Sequence, residues 1–226
     1  MKKYSKILCT TLTVLTVMVS SLPAFAASND GASSDKAIKA AQKGVYDQTI
    51  IDKEWSKVKS KPIEADKVPT NNSVVKSSTT TSSTGTYPTR NGVILVTADA
   101  YKGLIPTGHA AIIWTYGTVV ESLSGGVTTG PSNWYSTKKT CYGVTVRGTT
   151  NDQDNEASNW CYNQFGKKYN FDYFNPYTRS KFYCSQLVYA AFLDLYGIDM
   201  NTSASGVAVH PMALVNTPET SLLYSK

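Results

Sequence analysis

The chain has 226 residues, of which 41% are hydrophobic and 17% are charged, and its formal net charge is +6 at pH 7. Three of its lysines lie within the first six residues, and without them 19 basic residues stand against 16 acidic ones, or +3. A charge this small, with no dense Lys/Arg cluster, argues against nucleic acid as a partner.

The first 26 residues have the three parts of a secretory signal peptide. Three lysines precede an apolar stretch over residues 7–19, and a small-residue cleavage site, Ala24-Phe25-Ala26, follows it. No later segment reaches the roughly 18 consecutive apolar residues of a transmembrane helix. We therefore expect cleavage near Ala26 and a mature protein without an integral membrane span, secreted or associated with the cell wall.

The next two segments differ from the rest of the chain in composition. Residues 27–69 carry apolar positions at helical spacing, which predicts an amphipathic helix, broken near Gly44, that stands apart from the main core. Residues 70–90 are rich in Ser and Thr and predict a flexible linker, because such a composition buries too little apolar surface to offset its ordering entropy. The helical segment is a pro-segment, a wall-docking piece or a cover over the active site, and the sequence leaves these options open.

Residues 91–226 have a globular composition and predict one domain. Short apolar or alternating runs predict four strands, over residues 93–96, 109–114, 118–123 (ended by Gly125 and Gly126) and 142–147. Two helices follow, one from the expected N-cap Asn151 to Gly166 and one from Cys184 to Gly197. Strands first and helices later favour an α+β domain with an antiparallel sheet packed against helices.

Cys184 begins the second of these helices, on the same face as its apolar stripe. The free backbone N–H groups and the positive dipole end of a helix N-terminus favour a thiolate, so Cys184 is a candidate nucleophile. A buried structural cysteine is the alternative. Once Cys9 leaves with the signal peptide, three cysteines remain, and an odd number suggests one disulfide and one free thiol. Cys141 and Cys161 are the candidate pair, and three reduced cysteines are the alternative.

A cysteine nucleophile needs a base, usually a histidine that a third polar group orients. His109 opens an apolar strand directly after Gly108, where a polar ring needs a function or a good hydrogen bond. His210, the other histidine, precedes a proline in a predicted surface loop and is expected to be solvated. Glu121 on the next strand is the candidate orienting group. A two-residue turn at residues 116–117 would place the side chains of His109 and Glu121 on opposite faces of the sheet. A three-residue turn would place them on the same face, and the sequence leaves this register open.

Three stretches of the chain together resemble the circularly permuted papain-like cysteine hydrolases. This group includes the YiiX/YebB-like branch of the NlpC cell-wall peptidase superfamily and is related to the lecithin:retinol acyltransferase-like enzymes. The stretches are Gly108-His109-Ala110-Ala111-Ile112-Ile113, Val120-Glu121-Ser122 and Tyr183-Cys184-Ser185-Gln186-Leu187-Val188. As in the permuted enzymes, the histidine precedes the cysteine. The resemblance covers roughly residues 90–224, and Val93 departs from it where the family often has Asp.

The resemblance implies a permuted papain-like (NlpC-type) fold with the nucleophile at a helix N-terminus. It implies that Cys184 is the nucleophile, His109 the general base and Glu121 the polar third member. The oxyanion is then met by the backbone N–H at the helix start. Substrate contacts are expected from the helix start and the aromatic loop before it, and packing in the core is the alternative for these side chains. They are Tyr169, Tyr173, Tyr183 and Ser185.

These expectations describe a secreted bacterial cysteine peptidase or amidase that cleaves an amide bond through a thioester acyl-enzyme. Its expected partner is a peptidoglycan peptide or another amide, and we expect a monomer without a cofactor. One alternative is an acyl hydrolase or transferase acting on lipid esters or amides, and another is a non-catalytic binding module on the same fold. We expect no metal site, because two distant histidines without an H-E-x-x-H motif leave too few ligands.

Overall fold

The computed structural model describes residues 47–67, 84–99 and 108–226. The predicted signal peptide, the break near Gly44 and residues 70–83 of the predicted linker lie outside this part of the chain. The helices are α1 (Gln48–Ser60), α2 (Trp134–Thr137), α3 (Asn151–Tyr162), α4 (Cys184–Tyr196) and α5 (Ala213–Asn216). The strands are β1 (Ile94–Thr97), β2 (His109–Thr115), β3 (Thr118–Leu123), β4 (Gly126–Pro131), β5 (Tyr142–Val146), β6 (Lys168–Tyr169), β7 (Lys181–Phe182) and β8 (Thr220–Ser225).

Six strands form one antiparallel sheet in the order β4-β3-β2-β1-β5-β8, and β6 and β7 form a short parallel pair. The predicted α+β class with an antiparallel sheet is confirmed. The third predicted strand ends at Leu123 before Gly125 and Gly126, as expected, and β4, a strand that was not predicted, then begins at Gly126. Its φ of +113° suits glycine, and a side chain there would overlap the carbonyl oxygen of Lys167.

Alternate side chains of the central strands enter two separate apolar clusters, as the period of two in a strand requires. Ala110 and Ile112 of β2 face the main core, which α3 and α4 cover. Ala111 and Ile113 face a smaller cluster with Trp134 of α2. The central part of the sheet is therefore buried on both faces.

This division explains the state of the cysteines. Cys161 lies in the main core and Cys141 in the smaller cluster on the other face of the sheet. All three cysteines of the described residues are free. Of the two alternatives left open for Cys141 and Cys161, the structure has the reduced one, because the sheet separates the two thiols.

Local signals account for the ends of the two main helices. Thr150 is the N-cap of α3, where its hydroxyl accepts from the backbone N–H of Gln153 and forms a capping box. The expected N-cap, Asn151, is thus wrong by one position. Gly197 ends α4 with a φ of +68°, as predicted. No helix in the described ranges is long and apolar enough to cross a membrane.

Helix α1 is part of the main core. Ile51, Trp55 and Val58 are buried in the same cluster as the central strands, so the expectation that this segment stands apart is wrong for α1. The chain after α1 then follows strand β8, where the backbone N–H of Glu64 donates to the carbonyl oxygen of Leu222 at 2.7 Å. The division of the chain into a helical segment, a linker and a catalytic domain stays a prediction.

Candidate active site

Cys184 is the first residue of α4, and its side chain is 2% exposed. Gln186 fixes this end of the helix, because its Oε1 accepts from the backbone N–H of Tyr183 at 3.1 Å. The same Oε1 accepts from Nδ2 of Asn170 at 2.9 Å, which ties the helix start to the preceding aromatic loop. Backbone N–H groups of Ser185 and Ala110 are directed at the Cys184 sulfur and favour its charged form.

The register between β2 and β3 places His109 and Glu121 on one face of the sheet. Thr115 pairs with Thr118, so the turn between the strands has two residues, the arrangement expected to separate the two side chains. A bulge lies between Ile113 and Thr115 and shifts the register, so that Glu121 pairs with Ala111. Because Ala111 is two residues from His109, the histidine and the glutamate share a face.

The two side chains are in contact within the protein. Nε2 of His109 lies 2.6 Å from Oε2 of Glu121, and the side chains of both residues are buried. Gly130 of β4 leaves room for the carboxylate, since a side chain at this position would overlap Glu121 Oε1. On the same side, the Trp134 ring stacks on the His109 imidazole, with 5.5 Å between ring centroids and 28° between planes. These neighbours hold the imidazole in one orientation.

His109 and Cys184 approach each other at the end of the sheet. The imidazole lies on the face that Trp134 covers, whereas α4 packs on the opposite face. They meet because each is the first residue of its element, and the thiol and the imidazole are within hydrogen-bonding range. Since Nε2 is held by Glu121, Nδ1 is the ring nitrogen available to the thiol.

The protonation of this pair follows from its surroundings. Burial alone lowers the pKa of His109, but its hydrogen bonds and charge interactions with Cys184 and Glu121 are stronger and raise it to about 9. Burial alone raises the pKa of Cys184, but the hydrogen bond and charge of His109, together with the backbone N–H groups of Ala110 and Ser185, outweigh burial and lower it. The arrangement therefore favours a thiolate beside an imidazolium near neutral pH.

The four predicted substrate-contacting residues all lie near the start of α4, and three of them are buried. The Ser185 hydroxyl donates to the carbonyl oxygen of Val209 at 2.6 Å, and the Tyr183 hydroxyl accepts from the backbone N–H of Val209 at 3.1 Å. For Tyr169 and Tyr173, burial raises the pKa of each phenol, and the nearby Cys184 charge raises it further. Direct substrate contact by these four residues stays a prediction.

His210 is not the solvated residue that its place before a proline suggests. It is 3% exposed, and burial lowers the pKa of its imidazole to about 4. The expectation fails because residues 208–215 pack against the main core. His210 is therefore a neutral, buried histidine at physiological pH.

Two features near the site were missed by sequence reasoning. Trp134 follows the unpredicted strand β4, and no sequence pattern connects it with His109. Asn170 and Gln186 form a buried amide pair, and Gln186 stands three residues after the Tyr183 N-cap, at the position where a capping box places Gln or Glu. That spacing is the one signal that was available.

The part of the chain that the structure describes holds no group of three or more His, Cys, Asp or Glu side chains suited to a metal ion. In the candidate site, His109 contacts Glu121 and lies within hydrogen-bonding range of Cys184. No step of the chemistry considered below involves a metal.

Comparison with known proteins agrees with this fold. Residues 98–212, about half of the chain, match the model of a family described as permuted papain-like amidases, YaeF/YiiX, C92 family. The chain therefore belongs to this family of permuted papain-like amidases. Its fold is the permuted papain-like fold, and its family places it among hydrolases of amide bonds.

Among solved structures, the chain is similar to the crystal structure of the metalloprotein yiiX from Escherichia coli O157:H7. The TM-score is 0.49 and the sequence identity 14%, and the similarity covers 61% of this chain and 97% of that one. No curated protein matches the chain.

Proposed function

We propose that this protein is an exported cysteine amidase that cleaves amide bonds of cell-wall peptides, with Cys184 as nucleophile. One observation carries this proposal: Cys184, at a helix N-terminus, lies within hydrogen-bonding range of His109, whose other ring nitrogen is 2.6 Å from Glu121. A nucleophile, a base and a group that orients the base are the three parts that acyl transfer requires.

In the first step the Cys184 thiolate attacks the carbonyl carbon of the amide. A carbon–sulfur bond forms, and the π electron pair of the carbonyl moves to its oxygen. The backbone N–H at the start of α4 stabilises this oxyanion, an effect of about 3–4 kcal/mol for one donor in related chemistry. The His109 imidazolium then gives its proton to the leaving nitrogen, the carbon–nitrogen bond breaks, and a thioester remains.

In the second step water attacks the thioester carbonyl carbon. Neutral His109 takes a proton from this water as the carbon–oxygen bond forms. The thiolate leaves when the tetrahedral intermediate collapses, and the carboxylic acid product is released. Glu121 stabilises the imidazolium through its 2.6 Å contact and keeps the ring in the same orientation in both steps.

Export and the cell-wall substrate rest on the sequence of the N-terminal 26 residues, which has the pattern of a signal peptide. Cell-wall peptides are amides that an exported protein can reach, and they are therefore the proposed substrate. The mildly basic charge that remains after removal of the signal is compatible with anionic wall polymers. The protein is proposed to act as a monomer.

The substrate is tested by incubating the purified mature protein with muropeptides and, in parallel, with lipid extracts, followed by mass spectrometry. We expect new carboxyl and amine termini in the muropeptides, and none with the Cys184→Ala variant. Products from the lipid extracts alone would mean that the substrate is a lipid ester or amide and not a wall peptide. Products from neither, together with slow alkylation of Cys184, would favour the binding module.

A further inference from the structure

Helix α1 reaches the chain next to His109 through Trp55. This residue is 8% exposed, and its ring stacks on Tyr142 of β5 with 5.8 Å between ring centroids. The ring also lies against Gly108, because a Cβ built on this glycine would be 2.9 Å from Cζ2 of Trp55. The same Cβ would also overlap the carbonyl oxygen of Thr97. Gly108 is therefore packed closely against both strand β1 and the indole.

The position of Gly108 determines where His109 begins. Gly108 has a φ of +111°, a region that residues with a side chain rarely adopt, and it leads directly into β2. Thr97 pairs with His109 in the register of β1 and β2. The backbone next to the base is thus positioned by its pairing with β1 and by its close contact with Trp55. A shift of this backbone changes the distances from the imidazole to Cys184 and to Glu121.

The helix that carries Trp55 is itself firmly attached to the domain. Ile51 and Val58 are buried in the main core beside Trp55. Nδ2 of Asn216 donates to the backbone oxygen of Glu54 at 2.9 Å and to its Oε2 at 3.0 Å. The attachment fits a permanent support better than a segment that is released. Helix α1 also lies outside residues 98–212, which the family model matches.

We propose that Trp55 is a positioning residue for His109, and that α1 is a permanent part of the active unit. The proposal rests on the proposed Cys184–His109 pair and assigns a role to a segment beyond it. For the reactivity of Cys184, it predicts the opposite change to the hypothesis that this helix is a pro-segment or a cover. Loosening a cover raises the reactivity of Cys184, whereas loosening a support lowers it.

The test measures the rate of Cys184 alkylation by iodoacetamide, from pH 5 to pH 10, in the full mature chain. We expect Trp55→Ala to slow labelling at pH 7 about tenfold or more, because small misplacements of a catalytic group have effects of this size. The acid side of its pH profile should move up, towards that of a free thiol. Trp55→Phe keeps an apolar ring and should change both quantities less, in the same direction. Ile51→Ala, on the same helix and in the same core, is the control. It should lower the melting temperature and leave the pH profile unchanged.

Each outcome decides the proposal. Labelling of the Trp55 variants at the wild-type rate, or faster, overturns it, and faster labelling identifies α1 as a cover. If Trp55→Ala does not fold, the pH profile of Trp55→Phe decides. His109→Ala is measured in parallel. If that variant labels like the wild type, the Cys184–His109 pair is wrong and the role of Trp55 falls with it. A slow His109→Ala with unaffected Trp55 variants overturns only the role of Trp55.

Discussion

His109 has two partners that do different work. Glu121 accepts a hydrogen bond from one ring nitrogen, and Cys184 is within reach of the other. Because all three side chains are nearly out of contact with solvent, their charges are weakly screened, and the protonation of His109 and Cys184 is coupled. Conservative substitutions of single residues can therefore separate the effect of a charge from the effect of side-chain shape.

Glu121→Gln is expected to slow alkylation of Cys184 at pH 7 by about tenfold or more. The substitution keeps the shape of the side chain but removes the charge that favours the imidazolium, and a hydrogen bond to a charged group contributes about 1.5–3 kcal/mol. Labelling rates with iodoacetamide measure the effect. The control is Glu64→Gln, which removes a carboxylate paired with Arg147 away from the site and should label like the wild type. Equal rates for Glu121→Gln and the wild type would remove Glu121 from the proposed centre.

The pH dependence should differ between alkylation and amide hydrolysis. Alkylation needs only the thiolate, so it is lost as pH falls through the lowered pKa of Cys184 and persists at high pH. Hydrolysis also needs a proton for the leaving nitrogen, so it should fall as pH rises through the His109 pKa of about 9. Rates measured from pH 5 to pH 10 test this. Hydrolysis that keeps rising above pH 9.5 would exclude His109 as the proton donor.

His109→Ala, with His210→Ala as its control, separates the two histidines. Loss of the His109 partner should move the acid side of the alkylation profile up, towards the reference thiol pKa of about 8.5. His210 is buried and neutral, so its loss should leave that profile in place. If the profile moves only in the His210→Ala variant, His109 is not the base.

At the scale of elements, strand β4 supports the site although it contributes no candidate catalytic residue. Its Gly130 leaves room for the Glu121 carboxylate on the neighbouring strand. The bulge in β2 has a comparable effect, since it turns Glu121 to the face of His109. The site therefore depends on the backbone of strands that surround it.

Gly130→Ala should displace the Glu121 carboxylate and slow alkylation at pH 7 at least as much as Glu121→Gln. The matched control is Gly125→Ala, because a Cβ at Gly125 meets no atom within 4 Å. Labelling rates and circular dichroism of both variants provide the measurement. If Gly130→Ala folds and labels like the wild type, the close packing around Glu121 is not required.

At the scale of the whole molecule, the segment after α1 ties the N-terminal part of the chain to its C-terminal strand. Nζ of Lys61 donates to three backbone carbonyl oxygens, those of Val215, Thr217 and Thr220. Burial lowers the pKa of this lysine, and the charge of Arg147 lowers it further. The three carbonyl groups belong to the end of α5 and the start of β8. One ammonium group therefore connects the segment after α1 to both elements.

Lys61→Met should lower the free energy of unfolding by about 1.5–3 kcal/mol, because hydrogen bonds from a charged donor are lost and carbonyl groups stay unsatisfied. Urea unfolding of the mature chain measures this change. Lys59→Met, on the exposed side of α1, is the control and should stay within about 0.5 kcal/mol of the wild type. Equal stability of the two variants would mean that the segment is not part of the cooperative unit.

Local patterns determined much of this protein from sequence alone. The helix that begins at Cys184, its end at Gly197 and the strand that His109 opens follow from hydrophobic spacing and glycine, and the order of histidine and cysteine indicated the permuted family. These features depend on neighbours a few residues apart, which a sequence displays directly.

The remaining features of the site follow from contacts between distant parts of the chain. Five features depend on residues far apart in the chain. They are the bulge that places Glu121 on the face of His109, the stacking of Trp134, the separation of Cys141 from Cys161, the burial of His210 and the place of α1 in the core. Strand β4 was missed because Val127 is its one large apolar residue, and its pairing with β3 supplies the stability that its own sequence lacks. Contacts between distant segments determine these features, and local sequence patterns do not predict such contacts.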